Sequence, residues 1–284
     1  MAEIIDGKLV SQKLRSEIRD EILVFKEEHN SVPGLAVVVV GDNPASAVYV
    51  KNKHKACLDV GIESFDIRFP ADISEAELLS CIDELNSDTK VDGILVQLPL
   101  PIHINEERVI NRISPEKDVD AFHPANVGRI MIGNPGFLPC TPAGVVELLK
   151  HYNVKVEGKR CVIIGRSNIV GKPMALLLLG LNGTVTVCHS RTENLGDFCR
   201  NADIIVVAIG KAGFLKADMV KPGAVVVDVG INRNSDGKLC GDVDFDEVEK
   251  LASLITPVPG GVGPMTITML LRNTLTAAKA RFIK

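Results

Sequence analysis

Apolar and polar positions change period along this chain in a repeating order, and that order predicts its elements. Between residues 9 and 25, Leu14, Ile18, Ile22 and Phe25 recur with charged residues between them, the spacing of an amphipathic helix. Pro33-Gly34 ends that region, and the unbroken apolar run 35–40 predicts a strand buried on both faces. The turn from Gly41 to Pro44 leads into a helix that Gly61 stops, after which residues 62–69 alternate as a second strand. Ser74 and Glu77 form a capping box for a helix to about Leu85, and residues 93–98 read as a third buried strand. The order β-α-β-α-β implies parallel strands joined by right-handed crossovers, with their C-terminal ends on one edge.

A second series begins after Pro139-Cys140-Thr141-Pro142, where Thr141 suits an N-cap and Pro142 the first position of a helix to about Tyr152. A strand at 160–164, the turn from Gly165-Arg166-Ser167 to Gly171-Lys172-Pro173, and a helix through Leu181 make a dinucleotide-binding arrangement, with the helix N-terminus facing phosphate. The next strand, 184–188, ends in His189-Ser190-Arg191 with no acid before Glu193. An NAD-selective site carries an acid there for the ribose diol. Ser190, Arg191 and Arg166 suit a 2′-phosphate instead, which favours NADP; solvated loop arginines are the alternative. Strands at 204–208 and 224–228 lead to Gly210 and Gly230, and residues 234–237 read as a hairpin turn. The run Thr256-Pro-Val-Pro-Gly-Gly-Val-Gly-Pro-Met-Thr266 joins a strand end to a C-terminal helix with Pro264 in its first turn.

Composition narrows the classes. A length of 284 residues, 46% of them apolar, suits one large or two ordinary domains with a sizeable core. A net charge of −4, with no basic cluster and no tryptophan, argues against nucleic acid or an anionic membrane as partner. The seven cysteines are scattered without a CxxC pair, as buried free thiols are, and the histidines have no metal-ligand spacing. No basic leader and no membrane-length apolar run is visible, so the expectation is a soluble protein of a reducing compartment.

Candidate chemistry falls at the ends of the first-half strands. Ser46, Tyr49 and Lys53 share one helical face. Gln97 ends the third strand before Leu98-Pro99-Leu100-Pro101, near where Lys53 should project, and the flanking prolines allow a cis bond. Asp118 and Asp120 point the same way if their segment is extended, which suits an amide-like or guanidine-like ligand edge; an acidic surface turn is the alternative.

Taken together, Ser46-x-x-Tyr49-x-x-x-Lys53, Val96-Gln-Leu-Pro-Leu-Pro101, Pro115-Glu-Lys-Asp-Val-Asp120, Pro139-Cys-Thr-Pro142, the glycine turn 165–173 and the run 257–266 resemble the bifunctional methylenetetrahydrofolate dehydrogenase/cyclohydrolase family along essentially the whole chain. One departure is Ala121, where that family usually has glycine. The resemblance implies an α/β protein of two three-layer αβα domains with the active-site cleft between them. Residues 1–139 plus 268–284 would form the folate-binding catalytic domain, and 140–267 a Rossmann-type NADP-binding domain. It further implies NADP-dependent oxidation of 5,10-methylenetetrahydrofolate to the methenyl form and hydrolysis to 10-formyltetrahydrofolate. Lys53, Gln97, Tyr49 and Asp120 would be catalytic, with Ser46, Tyr49, Asp120, Pro259, Gly260 and Gly261 binding substrate. Thr141, Gly165, Arg166, Ser167, Ser190, Arg191 and Ile231 would bind the cofactor, without a metal. A cytoplasmic homodimer is the expected form. Two other readings stay open on the residues alone. A different two-domain NADP dehydrogenase, acting on a shikimate-like hydroxy acid, would leave the proline-rich loop after Gln97 unexplained. A nucleotide-sensing binding protein would make Lys53 incidental.

Overall fold

The computed structural model describes residues 1–42 and 44–283, for residues 44–49 the helical backbone only. Two compact units emerge: Lys13–Cys140 with Ile267–Lys284, and Met1–Gln12 with Thr141–Thr266.

In the first of these, Gly34–Val40 is the central strand of a three-stranded parallel sheet, between Glu63–Phe69 and Gly93–Val96. Every residue of the central strand is buried, and strand alternation explains why no polar position interrupts it. Leu35, Val37 and Val39 pack with Ile18, Ile22 and Phe25 of the helix Gly7–His29 and with Leu270 and Leu271 of the helix Val262–Ala280. Ala36, Val38 and Val40 pack on the opposite face with Leu78, Ile82 and Leu85 of the helix Glu75–Ser87. The result is a helix–sheet–helix sandwich. The capping box is present: Ser74 Oγ accepts from the Glu77 amide, and the Glu77 carboxylate accepts from the Ser74 amide. Gly61, at φ 90°, closes the helix Pro44–Val60. The third strand stops at Val96, two residues early, ahead of the cis Leu98–Pro99 bond.

The other unit is a six-stranded, all-parallel sheet with Arg160–Ile164 between Thr184–Cys188 and Ile204–Val207, followed by Val225–Asp228, Leu254–Ile255 and Glu3–Ile4. One face carries Val162, Ile164, Ile205, Val207 and Val226 into a core with Cys199, Leu215 and Val248. The helices Cys140–His151 and Gly171–Gly180 bury Leu148, Met174 and Leu178. A two-stranded antiparallel ribbon, Asn232–Arg233 with Leu239–Cys240, holds the expected hairpin turn.

Two local expectations change, and one open alternative is decided in favour of the turn. Residues 1–12, read as part of the first domain, belong with the six-stranded sheet, because Glu3–Ile4 pairs in parallel with Leu254–Ile255. Thr141 is not an N-cap; the helix begins at Cys140, and the Thr141 hydroxyl bonds that of Thr266 at 3.0 Å. The acidic segment is a turn rather than extended chain, as the site shows.

Candidate active site

The helix Pro44–Val60 carries Lys53 toward the C-terminal end of the Gly93–Val96 strand. There the ammonium donates to Gln97 Oε1 at 2.9 Å, and Gln97 Nε2 donates to the Leu98 carbonyl at 2.8 Å, fixing the amide's orientation. Lys53 is only 8% exposed, an unusual place for a lysine, and burial lowers its pKa while Asp120 opposes that shift. Gln97 acts on the amine in the opposite sense to burial. Its carbonyl oxygen accepts from the charged form and supports it.

Asp118 and Asp120 do different work. The Asp118 carboxylate is buried and accepts from the His123 amide and from Asn126 Nδ2, each at 2.8 Å, so it ties the turn together. The Ala121 amide donates to the Asp118 carbonyl at 3.0 Å, closing a turn over 118–121 in which the two aspartates are not successive positions of one strand face, and Ala121 leaves that turn at φ +58°. Asp120 is left half-buried beside Lys53, its pKa raised by burial, lowered by the Lys53 cation and raised again by Asp118. Cys140 completes the group; burial and then Asp120 push its thiol well above the ordinary range, so it stands there as a neutral thiol.

The sequence reading missed the residue that holds this wall. Asn273, buried in the C-terminal helix, donates to the carbonyls of Val119 and Leu138, each at 2.8 Å, and lies 3.7 Å from Cys140 Sγ. It thus pins the backbone beside Asp120 and two residues before Cys140. A signal was available, since Asn273 falls on the helical stripe of Leu270 and Ala277, where a polar residue requires partners. The side chains of Ser46 and Tyr49 lie outside the described residues.

A second group forms in the six-stranded sheet. The chain leaves Arg160–Ile164 toward neighbours on opposite sides, which creates a switch point at that strand's C-terminal end. A cavity of about 280 Å³ opens there, lined by Gly165, Arg166, His189, Ser190, Ile209 and Lys211 among others. Gly165 sits at φ +128°, and a side chain on it would collide with the Ala208 carbonyl. Ser167 Oγ accepts from the amides of Val170 and Gly171 at 3.1 and 3.3 Å, opening the following helix. Of the expected cofactor residues, Gly165, Arg166 and Ser190 thus share one cavity. Thr141 is paired with Thr266, Arg191 and Ile231 are exposed, and none of these three lines it. A hollow beside Gly165 at a switch point, with Arg166 and Lys211 on its wall and neither in an ion pair among the described residues, suits a phosphorylated dinucleotide.

Pro259 is joined to Val258 by a cis bond, Gly260 and Gly261 follow it, and the Gly260 carbonyl accepts from the Lys8 amide at 3.2 Å. Among the described residues no cluster of three or more His, Cys, Asp or Glu side chains could hold a metal ion. Among them, too, no helix is long and apolar enough to cross a membrane.

The chain has one unit with a Rossmann-type parallel sheet and a cavity at its switch point, and another with a smaller parallel sheet and a buried lysine at a strand's end, the make-up of a two-domain dinucleotide-dependent enzyme. The chain belongs to the tetrahydrofolate dehydrogenase/cyclohydrolase family: residues 5–120 match its catalytic domain and residues 139–282 its NAD(P)-binding domain. It is similar to the bifunctional protein FolD of Acetivibrio thermocellus, 59% identical over 98% of this chain and 97% of that one. Among solved structures it resembles the bifunctional FolD of Campylobacter jejuni, with a TM-score of 0.97, 53% identity and coverage of 99% and 100%. It also resembles the Trypanosoma brucei enzyme complexed with NADP cofactor and inhibitor, with a TM-score of 0.96, 39% identity and coverage of 100% and 99%.

Proposed function

We infer that this chain oxidises 5,10-methylenetetrahydrofolate with NADP+ and hydrolyses the resulting methenyl cation to 10-formyltetrahydrofolate. The observation that carries the reading is the buried Lys53 amine, bonded to Gln97 and facing Asp120 at the end of a parallel sheet. Family membership and the NADP complex of the Trypanosoma brucei relative support it.

In the first reaction a hydride leaves the one-carbon bridge with its electron pair, and bound NADP+ supplies the acceptor. Hydride transfer depends on the two carbons being held in near-attack geometry, and the folate product is a cation. Next, a water oxygen bonds to the methenyl carbon while a proton passes to the Lys53 amine. The ammonium so formed returns a proton to N5 as the C–N5 bond breaks, and the hydroxyl proton is released as the formyl carbonyl forms. Burial favours the neutral amine that this step needs, and a cationic substrate beside it pushes in the same direction. Gln97 holds the amine in place, and Asp120 suits the amide-like edge of the pterin ring.

Ser46 and Tyr49 complete the proposed folate side by family resemblance, and Pro259, Gly260 and Gly261 are proposed to contact substrate. Gly165, Arg166 and Ser190 are proposed to hold the dinucleotide, with Thr141, Ser167, Arg191 and Ile231 in the same group by resemblance. The proposed domains remain a folate-binding one, now beginning near residue 13, and an NADP-binding one that takes in residues 1–12. A cytoplasmic homodimer is part of the proposal. Seven free cysteines support a reducing compartment, and light scattering tests the dimer.

The direct test mixes the purified protein with methylenetetrahydrofolate and NADP+ and follows NADPH absorbance, then follows loss of methenyltetrahydrofolate without nucleotide. Both signals are expected. Absence of the first removes the dehydrogenase reading, and absence of the second removes the hydrolase.

A further inference from the structure

We propose that Lys211 is a specificity-determining residue for the 2′-phosphorylated dinucleotide, held at the cavity wall by the buried carboxylate of Asp242. The inference rests on NADP being the dinucleotide and names a cation that the phosphate-binding motif did not include.

Lys211 follows the strand Ile204–Val207 and lines the same cavity as Arg166 and Ser190. Its ammonium makes no ion pair among the described residues, whereas nearby Lys216 and Lys221 are committed to Asp244 and Asp203. A lysine already paired with a carboxylate has little attraction left for phosphate, and Lys211 is not so paired among the described residues.

The backbone beneath it is fixed. The amides of Ile209, Gly210 and Lys211 donate to the Asp242 carboxylate at 2.7, 3.0 and 2.7 Å, and Asn232 Nδ2 donates to it at 2.8 Å. Gly210, at φ +65°, gives these successive N–H groups the concave form that binds anions. Here the chain's own carboxylate fills that concavity, so the loop does not offer its amides to a ligand phosphate. The polar group that the loop adds to the cavity lining, beside apolar Ile209, is Lys211, on a backbone that Asp242 holds still. Asp242 is itself anchored, since its amide donates to Asp228 Oδ1 at 2.9 Å. The loop therefore contributes phosphate affinity through a side chain, and that affinity depends on the ligand carrying phosphate within its reach.

The test is isothermal titration of the whole protein with 2′,5′-ADP and with 5′-ADP, for the native chain, Lys211→Met and Lys211→Arg. Lys211 is exposed, and the ligand-free unfolding midpoint checks that each variant is folded. In Lys211→Met the Kd for 2′,5′-ADP is expected to rise about tenfold or more, with that for 5′-ADP within twofold, and Lys211→Arg should recover most of the loss. Equal weakening of both ligands, or no change in either, overturns the inference. If the native chain binds the two ligands equally, the cofactor assignment fails and takes this inference with it.

Discussion

Asn273 joins the two backbone segments that carry Asp120 and Cys140, and replacing it with alanine puts a number on that tie. The side chain is 6% exposed and donates to two carbonyls at 2.8 Å. Each such bond contributes about 0.5–1.5 kcal/mol net, and a buried carbonyl left without a partner costs about 1–3 kcal/mol. The Val119 oxygen keeps only the long contact from Cys140 Sγ at 3.5 Å. Asn273→Ala should therefore destabilise by about 2–4 kcal/mol, lowering the thermal midpoint by roughly 5–15 °C at about 2–4 °C per kcal/mol. The KM for methenyltetrahydrofolate should also rise, because the freed segment ends in Asp120. Asn273→Asp gives a second, signed outcome. Burial raises the introduced carboxyl's pKa above its unfolded value near 4, so the protonated form, which can donate one bond, favours the fold. Stability of that variant should be greatest at low pH and fall as pH rises through the raised pKa. Calorimetry between pH 4 and 8 measures both effects. A loss below about 1 kcal/mol in Asn273→Ala, with unchanged KM, would refute the tie.

Four further outcomes are expected. Lys53→Arg keeps a cation but loses the titratable base, so hydrolysis of methenyltetrahydrofolate should fall by about 10²–10⁴-fold, and a native rate would end the base assignment. Asp120→Asn should weaken folate binding by about 1.5–3 kcal/mol through one lost charge-assisted bond; equal affinity by titration would remove Asp120 from the site. Ala121→Gly relieves a left-handed residue worth about 1–2 kcal/mol but gives up a buried methyl of about 0.8 kcal/mol and gains unfolded-state freedom of about 0.5–1 kcal/mol. The unfolding free energy should thus change by less than about 1 kcal/mol, and a loss above about 2 kcal/mol would show that the methyl's packing dominates. Burial raises the Asp228 carboxyl to about 6, against three backbone donors that lower it. A folded pKa above the unfolded one means that its contribution favours the fold below about pH 4 and is lost as pH rises through 6. Midpoints of Asp228→Asn measured over that window should depend less on pH, and a slope equal to the native one would contradict the shift.

Much of this was legible because it is local. Gly34–Val40 announces a doubly buried strand by lacking any polar position, and Ser74 with Glu77 announces a helix start through two side chains three residues apart. The glycine turn after Ile164 and the missing acid after Cys188 are equally local, and they lead to the cavity at Gly165, Arg166 and Ser190. What stayed hidden depends on partners far away in the chain. Nothing near Glu3 says that it pairs with Leu254, and nothing near Thr141 says that its hydroxyl meets Thr266. Asp118 and Asp120 look alike in sequence. Only the folded turn over 118–121 distinguishes the carboxylate that braces it from the one that faces Lys53. Lys211 carried no motif at all, and its placement follows from Asp242, thirty-one residues further on.

The short strand Glu3–Ile4 bears on how the protein can be taken apart. A fragment trimmed to begin at Thr141 would look like a complete dinucleotide-binding domain by its motifs, yet Leu254–Ile255 would become an uncovered border with free amides and carbonyls. Such a piece is prone to recruit a foreign strand or a second copy of itself. Supplying residues 1–12 as a separate peptide, or grafting them through a linker, would restore the seam that the intact chain closes with its own beginning.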